Sequence, residues 1–221
     1  MALAGKGLLA VWHKIAPAAQ ADFLAWHDGE HIPERLAIPG FLRARRFAAL
    51  AGTPDYCTLY EVAKRAVLAG AAYRSRYADP TPWTRRVMGE ALAVARALCE
   101  VVYSAGTGAG AVLACLRFEG ARDAGPIAAL LQALLPEAAA VHLCRPELET
   151  GRSGARTKRS ERRGDKPWIA FVEGSTPAAL EALLAGPLAP SALSAFGAFR
   201  PDAGRYRLER DARPASGPAP N

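Results

Sequence analysis

The same order of expected strands and helices occurs twice in this 221-residue chain. Short segments that are continuously apolar, or that alternate between apolar and polar residues, indicate eight strands. These segments are 8–13, 41–47, 56–62, 98–104, 112–118, 141–145, 168–173 and 205–210. With the helical segments between them, each half has the order β-α-β-β-α-β. A repeated order constrains the fold strongly, because both halves must bury similar surfaces.

The repeat predicts two domains, residues 7–105 and 110–210, each close to the commonest domain size. A tail at 211–221 is rich in proline and small residues, and we expect it to be disordered. A split βαβ unit that occurs twice is the ferredoxin-like arrangement in tandem, so the predicted fold class is α+β. Each four-stranded sheet would cover one face with its own helices. We expect the two open faces to pack sheet to sheet as an α+β barrel.

The expected helices have apolar residues three and four positions apart. The first begins at Pro17, and we expect Pro33 to interrupt it, because a proline removes a backbone donor and clashes with the preceding turn. The other expected helices are 65–77, 83–97, 123–140 and one that begins at 177.

The positive charge is concentrated in one segment. The net charge is +7, but the segment from 152 to 166 alone has seven basic and two acidic residues. Such a segment could be a solvated loop, a lid over an anionic ligand, or a patch that binds phosphates. It has no interleaved aromatic residues for base stacking. We therefore do not expect a nucleic-acid partner.

The cysteines predict neither a disulfide framework nor a zinc site. Cys57, Cys99, Cys115 and Cys144 stand singly in apolar segments, which favours buried reduced thiols. The apolar run at 7–12 is too short for a signal-peptide core, and no run of about 20 apolar residues predicts a membrane span. These features predict a cytoplasmic protein with no membrane partner.

The segment 26–35, WHDGEHIPER, holds most of the reactive side chains and has no counterpart in the second half. His27 and His31 are four residues apart and share a helix face, and Glu30 between them completes an H-x-x-E-H zinc motif. However, Gly29 weakens the helix, and a unit of this size lacks the long helix that supplies a third ligand. We therefore expect no metal, and instead acid–base chemistry by His31 or His27.

The same residues also have structural interpretations. A histidine at the helix end could satisfy carbonyl groups that Pro33 leaves unpaired, where the helix dipole favours imidazolium. If His31 is catalytic, Glu30 or Glu34 could orient it. Trp26 could belong to the core or to the wall of a ligand pocket.

Two tyrosines of the third strand are candidates for the same site. Because side chains alternate along a strand, Tyr56 and Tyr60 share one face, and Cys57 and Leu59 the other. We expect the cysteine face to lie under the helices. The tyrosine hydroxyls would then face the space between the sheets, where a small ligand would bind.

Four further side chains could line that pocket. Arg43 and Arg45 share a face of the second strand, where they could hold a carboxylate, phenolate or enolate if they point inward, or be solvated if they point outward. Tyr73 and Trp83 flank the proline-rich break at 79–82 and could form the mouth of the pocket or pack in the core.

The stretch W-x-x-x-E-H-I-P-E-R at 26–35, followed by P-G-F-x-R-A-R-R-F at 39–47, resembles the dimeric α+β barrel superfamily. The likeness is to its EthD-like and related uncharacterised bacterial members, in a fused two-repeat form. It implies a small-molecule ligand and, for an enzyme, cofactor-free isomerase, cyclase or decarboxylase chemistry. His31 would then act as acid or base, and Tyr60 and an arginine would stabilise negative charge.

Two alternatives remain open. The protein could be a non-catalytic module that binds a ligand or self-associates as a homodimer. It could also bind haem with a histidine as axial ligand.

Overall fold

Eight antiparallel strands form one closed barrel in the computed structural model, which describes residues 2–52, 54–119, 123–147, 168–195 and 199–215. The strands are β1 (Gly7–Ile15), β2 (Phe41–Ala49), β3 (Tyr56–Val62), β4 (Ala91–Gly106), β5 (Val112–Glu119), β6 (Ala140–Glu147), β7 (Trp168–Gly174) and β8 (Phe199–Ala212). Helices cover this sheet, so the predicted α+β class is confirmed. The basic segment 152–166 lies outside the described residues.

The strands follow one another around the barrel in the order β1-β3-β2-β8-β5-β7-β6-β4. Each half therefore has the ferredoxin-like order, β4-β1-β3-β2 in the first and β8-β5-β7-β6 in the second. β2 pairs with β8 and β4 pairs with β6, so the two sheets meet at both edges. This pairing satisfies the backbone groups that open edges would expose. That 7–105 and 110–210 superpose as two domains stays a prediction.

The helices lie on the outside of the barrel. One continuous helical run consists of α1 (Gln20–Trp26), a π-helical segment (His27–His31) and α2 (Ile32–Leu36). The remaining helices are α3 (Ala71–Ala78), α4 (Pro82–Gly89), α5 (Gly125–Ala133), α6 (Pro177–Ala185) and α7 (Pro190–Ser194). In the described part of the chain, no helix has the length and apolarity that a membrane span requires.

Three sequence predictions about the elements were wrong. Pro33 does not interrupt the first helix, because it lies in the first turn of α2, directly after the π-helical segment. The predicted helix 83–97 ends at Gly89, and β4 begins at Ala91. Residues 211 and 212, assigned to a disordered tail, are the end of β8. The tail from 216 onward lies outside the described residues.

Both faces of the barrel sheet are buried. One apolar cluster contains residues of all eight strands and none of a helix, so it fills the interior. Three others combine strand residues with residues of the covering helices. The interior cluster includes all four cysteines, which are free and buried, as predicted. It also surrounds a buried ionic network of Arg45, Glu61 and Glu173.

Candidate functional site

A cavity of about 550 Å³ lies between the outer face of the sheet and the helices of the first half. β1, β3 and β4 form its floor, and the run from α1 to α2, together with α3 and α4, forms its walls. Apolar side chains make up much of the lining, among them Leu9, Val11, Trp26, Tyr73, Met88 and Val94. This volume is typical of sites for small ligands.

The π-helical segment sets the relative position of two histidines, of which His31 lines the cavity. The backbone N–H of Ile32 donates to the carbonyl of His27, five residues earlier. This wider turn stacks the rings of His27 and His31, with centroids 5.6 Å apart and planes 22° apart. Single π-helical turns inside α-helices often occur at functional sites.

Glu30 connects this segment to α4. One of its oxygens, Oε1, accepts a hydrogen bond from Thr81 Oγ1 at 2.6 Å and another from Trp26 Nε1 at 3.2 Å. The indole N–H also reaches Thr84 Oγ1 at 3.0 Å. Thr81 is the residue that caps α4, since its hydroxyl accepts from the backbone N–H of Thr84. Glu30 therefore positions a wall of the cavity and does not orient His31.

A chain of hydrogen bonds ends at the cavity in the hydroxyl of Tyr60. Arg46 Nη1 lies 3.1 Å from His27 Nδ1, and His27 Nε2 lies 3.1 Å from the Tyr60 hydroxyl. A guanidinium only donates, so Nδ1 must accept and Nε2 must carry the proton. The Tyr60 oxygen accepts this bond, which leaves its own hydrogen for a partner in the cavity. Asp28 holds Arg46 in place at 2.6 Å.

Burial keeps His27 and Tyr60 neutral. The pKa of Tyr60 is raised, because the phenolate would lose its hydration. Burial also lowers the pKa of His27 well below its ordinary value, and the charges of neighbouring basic side chains lower it further. Tyr60 can therefore act as a neutral hydrogen-bond donor at the cavity surface.

His31 lines the same cavity, and its ring centroid lies 6.2 Å from that of Tyr60. It packs against Trp26, with ring centroids 4.3 Å apart. Its Nδ1 atom is buried and has no hydrogen-bond partner among the described residues. This nitrogen does not cap the helix. Burial, with a smaller effect of the Arg35 charge, lowers the pKa of His31, so the imidazole is neutral near pH 7.

The charged residues of the lining are all basic. They are Arg35, Arg76, Arg85 and Arg96, and among the described lining residues there is no aspartate or glutamate. Tyr73 also contributes its hydroxyl, which accepts a hydrogen bond from Arg96 at 2.7 Å. The site therefore combines apolar walls with a positive potential.

The sequence prediction placed the two tyrosines of β3 on the wrong face of the sheet. Tyr60 and Tyr56 lie under the helices, whereas Cys57 and Leu59 face the barrel interior. The cavity is correspondingly outside the barrel and not between the two sheets. All seven residues of β3 are buried, so the two faces do not differ in polarity enough to be told apart by sequence.

Four of the predicted ligand-binding residues lie away from this cavity. Arg43 binds Asp211 through two hydrogen bonds of 2.8 and 2.6 Å, and Arg45 binds Glu173 at 2.7 Å. Both arginines have carboxylate partners and are not available to a ligand in the cavity. Tyr56 stacks on Phe23 at a centroid distance of 4.9 Å, and Trp83 donates to Asp22 at 3.0 Å.

Several residues of the site were not predicted. Arg35 and Arg46 belong to the quoted motifs, but nothing in the sequence separates them from the neighbouring arginines. His13 was assigned only to a strand, and Arg96 fell within the segment predicted as helix. Among the described residues, no group of three or more potential ligands is arranged to hold a metal ion.

No protein-family model and no curated protein sequence matches the chain. Several solved structures, however, are similar to it. An anthrone oxidase-like protein has a TM-score of 0.61 and 13% identity, over 98% of this chain and 97% of that one. A "putative monooxygenase" from Lactobacillus acidophilus NCFM has a TM-score of 0.60 and 10% identity, over 94% and 96%. A mutant chlorite dismutase from Candidatus Nitrospira defluvii, in complex with cyanide, has a TM-score of 0.55 and 9% identity, over 94% and 92%.

These likenesses define the class of fold. The chain has the same α+β barrel fold as these proteins, and it covers nearly their whole length. Identities this low show the fold alone, and one fold carries many unrelated activities. The likeness to EthD-like proteins in a fused two-repeat form stays a prediction.

Proposed function

We propose that the cavity binds a small molecule and that the protein is an enzyme. It would transfer a proton between that molecule and a protein side chain, without a resident cofactor. The observation that carries this proposal is the hydrogen-bond chain from Arg46 through His27 to Tyr60. It fixes the imidazole tautomer and leaves the hydroxyl hydrogen of Tyr60, a lining residue, free to donate. A donor oriented in advance stabilises negative charge without reorganisation in the transition state.

His31 would be the proton acceptor. Its imidazole is neutral, lines the cavity, and forms no hydrogen bond with the described residues. A group that removes a proton must reach the reacting atom and must not already be protonated. Negative charge that develops on the bound molecule would raise the pKa of His31 and help it to keep the proton. Tyr60 would donate to the oxygen on which that charge develops.

This division of roles fits an isomerase, cyclase or decarboxylase type of reaction. In each, an enolate or a related anion forms within a largely apolar pocket. The apolar walls exclude water, which strengthens the hydrogen bond from Tyr60 to such an anion.

The histidines do not fit a haem group. An imidazole that ligates a metal almost always donates its other ring N–H to an acceptor. At His31 and at His13, Nδ1 is buried without a partner among the described residues. Both nitrogens of His27 already have protein partners. We therefore base the proposal on the side chains alone.

Deuterium exchange into the CH2 group of phenylpyruvate, a small aromatic ketone, tests the proposal. The wild-type protein should accelerate exchange in D2O, as followed by NMR. His31→Gln should slow the accelerated rate by about 10²-fold or more, because a general base is lost. Tyr60→Phe should slow it by a similar factor.

The matched control is Tyr103→Phe, which removes a hydroxyl from a tyrosine that does not line the cavity. It should leave the rate unchanged. If phenylpyruvate binds but the wild-type protein does not accelerate exchange, the non-catalytic binding module is the better interpretation. If His31→Gln exchanges as fast as the wild type, the catalytic role given to His31 is wrong.

A further inference from the structure

Among the described residues, Arg35 is buried without an ionic partner. This residue of α2 is only 6% exposed and lines the cavity. Its guanidinium carbon lies 5.4 Å from the centre of the Tyr73 ring. Its Nη1 atom is buried and has no hydrogen-bond partner in the described part of the chain, where no aspartate or glutamate forms a salt bridge with Arg35 either.

The lack of a carboxylate partner distinguishes Arg35 from the other buried arginines of the described residues. Arg43, Arg45 and Arg46 are the other buried arginines among the described residues, and each contacts at least one carboxylate within 3 Å. A buried charge without a partner costs several kcal/mol more than a paired one. A cation–π contact recovers only part of that cost. Arg35 therefore carries a positive charge that no described carboxylate neutralises.

The surroundings of Arg35 increase the positive potential. Arg76, Arg85 and Arg96 line the same cavity. Arg76 forms a loose ion pair with Glu34 at 3.5 Å, and Arg85 forms one with Asp79 at 3.9 Å. Neither carboxylate lines the cavity. The same cavity is also lined by the apolar side chains of Trp26, Val11 and Val94.

We propose that the ligand of this cavity is a small apolar carboxylate, whose negative group pairs with Arg35 and whose hydrocarbon body packs against Trp26. The inference rests on the proposed function, in that the cavity is the ligand site. The planar fork of a guanidinium matches a carboxylate through two parallel hydrogen bonds. Pairing inside an apolar pocket also makes each such bond stronger than in water. A neutral ligand would leave Arg35 unpaired.

Two matched probes test the charge of the ligand. Isothermal titration should show that 2-naphthoate binds at least tenfold more tightly than 2-naphthamide, which has the same ring system without the charge. Arg35→Gln should remove this preference, and Arg35→Lys should restore part of it. The control Arg74→Gln removes an exposed arginine of α3 that does not line the cavity, and it should keep the preference.

Thermal unfolding provides a second readout that needs no ligand. Arg35→Met should raise the Tm of the ligand-free protein, by about 2–4 °C, because it removes an unpaired buried charge. Addition of 2-naphthoate should raise the Tm of the wild type and not that of Arg35→Met. A structural role for Arg35 predicts the opposite, a lower Tm for Arg35→Met without ligand.

The outcomes separate the two proposals. If both probes bind equally well and Arg35→Gln changes neither affinity, the carboxylate inference is wrong, although the cavity remains a binding site. If neither probe binds and Arg35→Met lowers the Tm, the results count against the ligand class and against the cavity as a site.

Discussion

The four histidines of the chain share one property, which is that burial lowers the pKa of each. His13 shows it most simply, since burial alone lowers its pKa from 6.5 to about 4. In the folded protein these rings are neutral over a pH range in which free histidines are protonated. Burial lowers the pKa of His31 and so keeps it available as a base. The same effect on the buried histidines makes the free energy of unfolding depend on pH.

Stability should fall as the pH is lowered from 7 to 4. The His13 side chain binds a proton below pH 6.5 in the unfolded protein, but only near pH 4 in the folded protein. The contribution of His13 to the free energy of unfolding is therefore complete above pH 6.5 and is lost as the pH falls towards 4. His13 alone accounts for about 3 kcal/mol of this change. Urea unfolding at pH 7.5 and pH 4.5 measures it.

His13→Gln is the matched variant for this measurement. It should lose less stability than the wild type between the two pH values, by about 2–3 kcal/mol. An identical pH dependence in the two proteins would show that His13 is not held neutral by burial.

At the scale of elements, the π-helical segment determines the site. It lets one helical run continue from Gln20 to Leu36 through Pro33, and it stacks the ring of His27 on that of His31, which lines the cavity. Gly29 lies at its centre. A Cβ added at Gly29 would meet no atom within 4 Å, so this glycine is not required for space.

Gly29→Ala should therefore stabilise the protein by about 1 kcal/mol, because alanine loses less backbone entropy in a helix than glycine does. Thermal unfolding should show an increase in Tm, and exchange activity should be unchanged. Gly40→Ala is the contrasting variant. Its backbone φ is +93° and its Cβ would lie 2.7 Å from Val67 Cγ2, so Gly40→Ala should lower the Tm. A decrease for Gly29→Ala would mean that the π-helical segment depends on glycine.

How far the sequence predicts the elements depends on where their stabilising contacts lie. β1, β3 and β7 were predicted well, because their apolar and β-branched residues favour strands locally. β4 was missed over 91–97, where alanine, leucine and arginine favour a helix. Pairing with β1 keeps this segment extended. Such pairing is a long-range effect that local propensity does not contain, and the error hid Arg96 from the predicted site.

At the scale of the whole molecule, Arg45 connects the two halves of the barrel. Its Nε lies 3.1 Å from Glu61 of β3, and its Nη1 donates to Glu173 of β7 at 2.7 Å. Glu61 accepts from the backbone N–H of Ala4, and Glu173 from that of Gly110. Each carboxylate therefore binds the segment that precedes the first strand of its own half.

Arg45→Met should destabilise the protein by about 3–5 kcal/mol, because it leaves two buried carboxylates without their shared cation. Chemical denaturation measures the loss. The control Arg210→Met replaces an exposed arginine of β8 and should change the free energy of unfolding by less than about 0.5 kcal/mol. A loss below 1 kcal/mol for Arg45→Met would mean that the network does not hold the halves together.

Closure of the barrel also bears on assembly. The chain pairs every edge of its own sheet, so completing the barrel requires no second copy. The homodimer expected from the sequence stays a prediction, and it would have to form through the outer surface. Light scattering of the purified protein would give its mass in solution.

A crystal structure of the protein soaked with 2-naphthoate tests the central claim most directly, because it locates the ligand relative to the sheet. We predict density in the cavity outside the barrel, with the carboxylate at hydrogen-bond distance from Arg35 and the rings beside Trp26, His31 and Tyr60. Density inside the barrel near Arg45, or a cavity closed by rearranged side chains with no ligand, would contradict it.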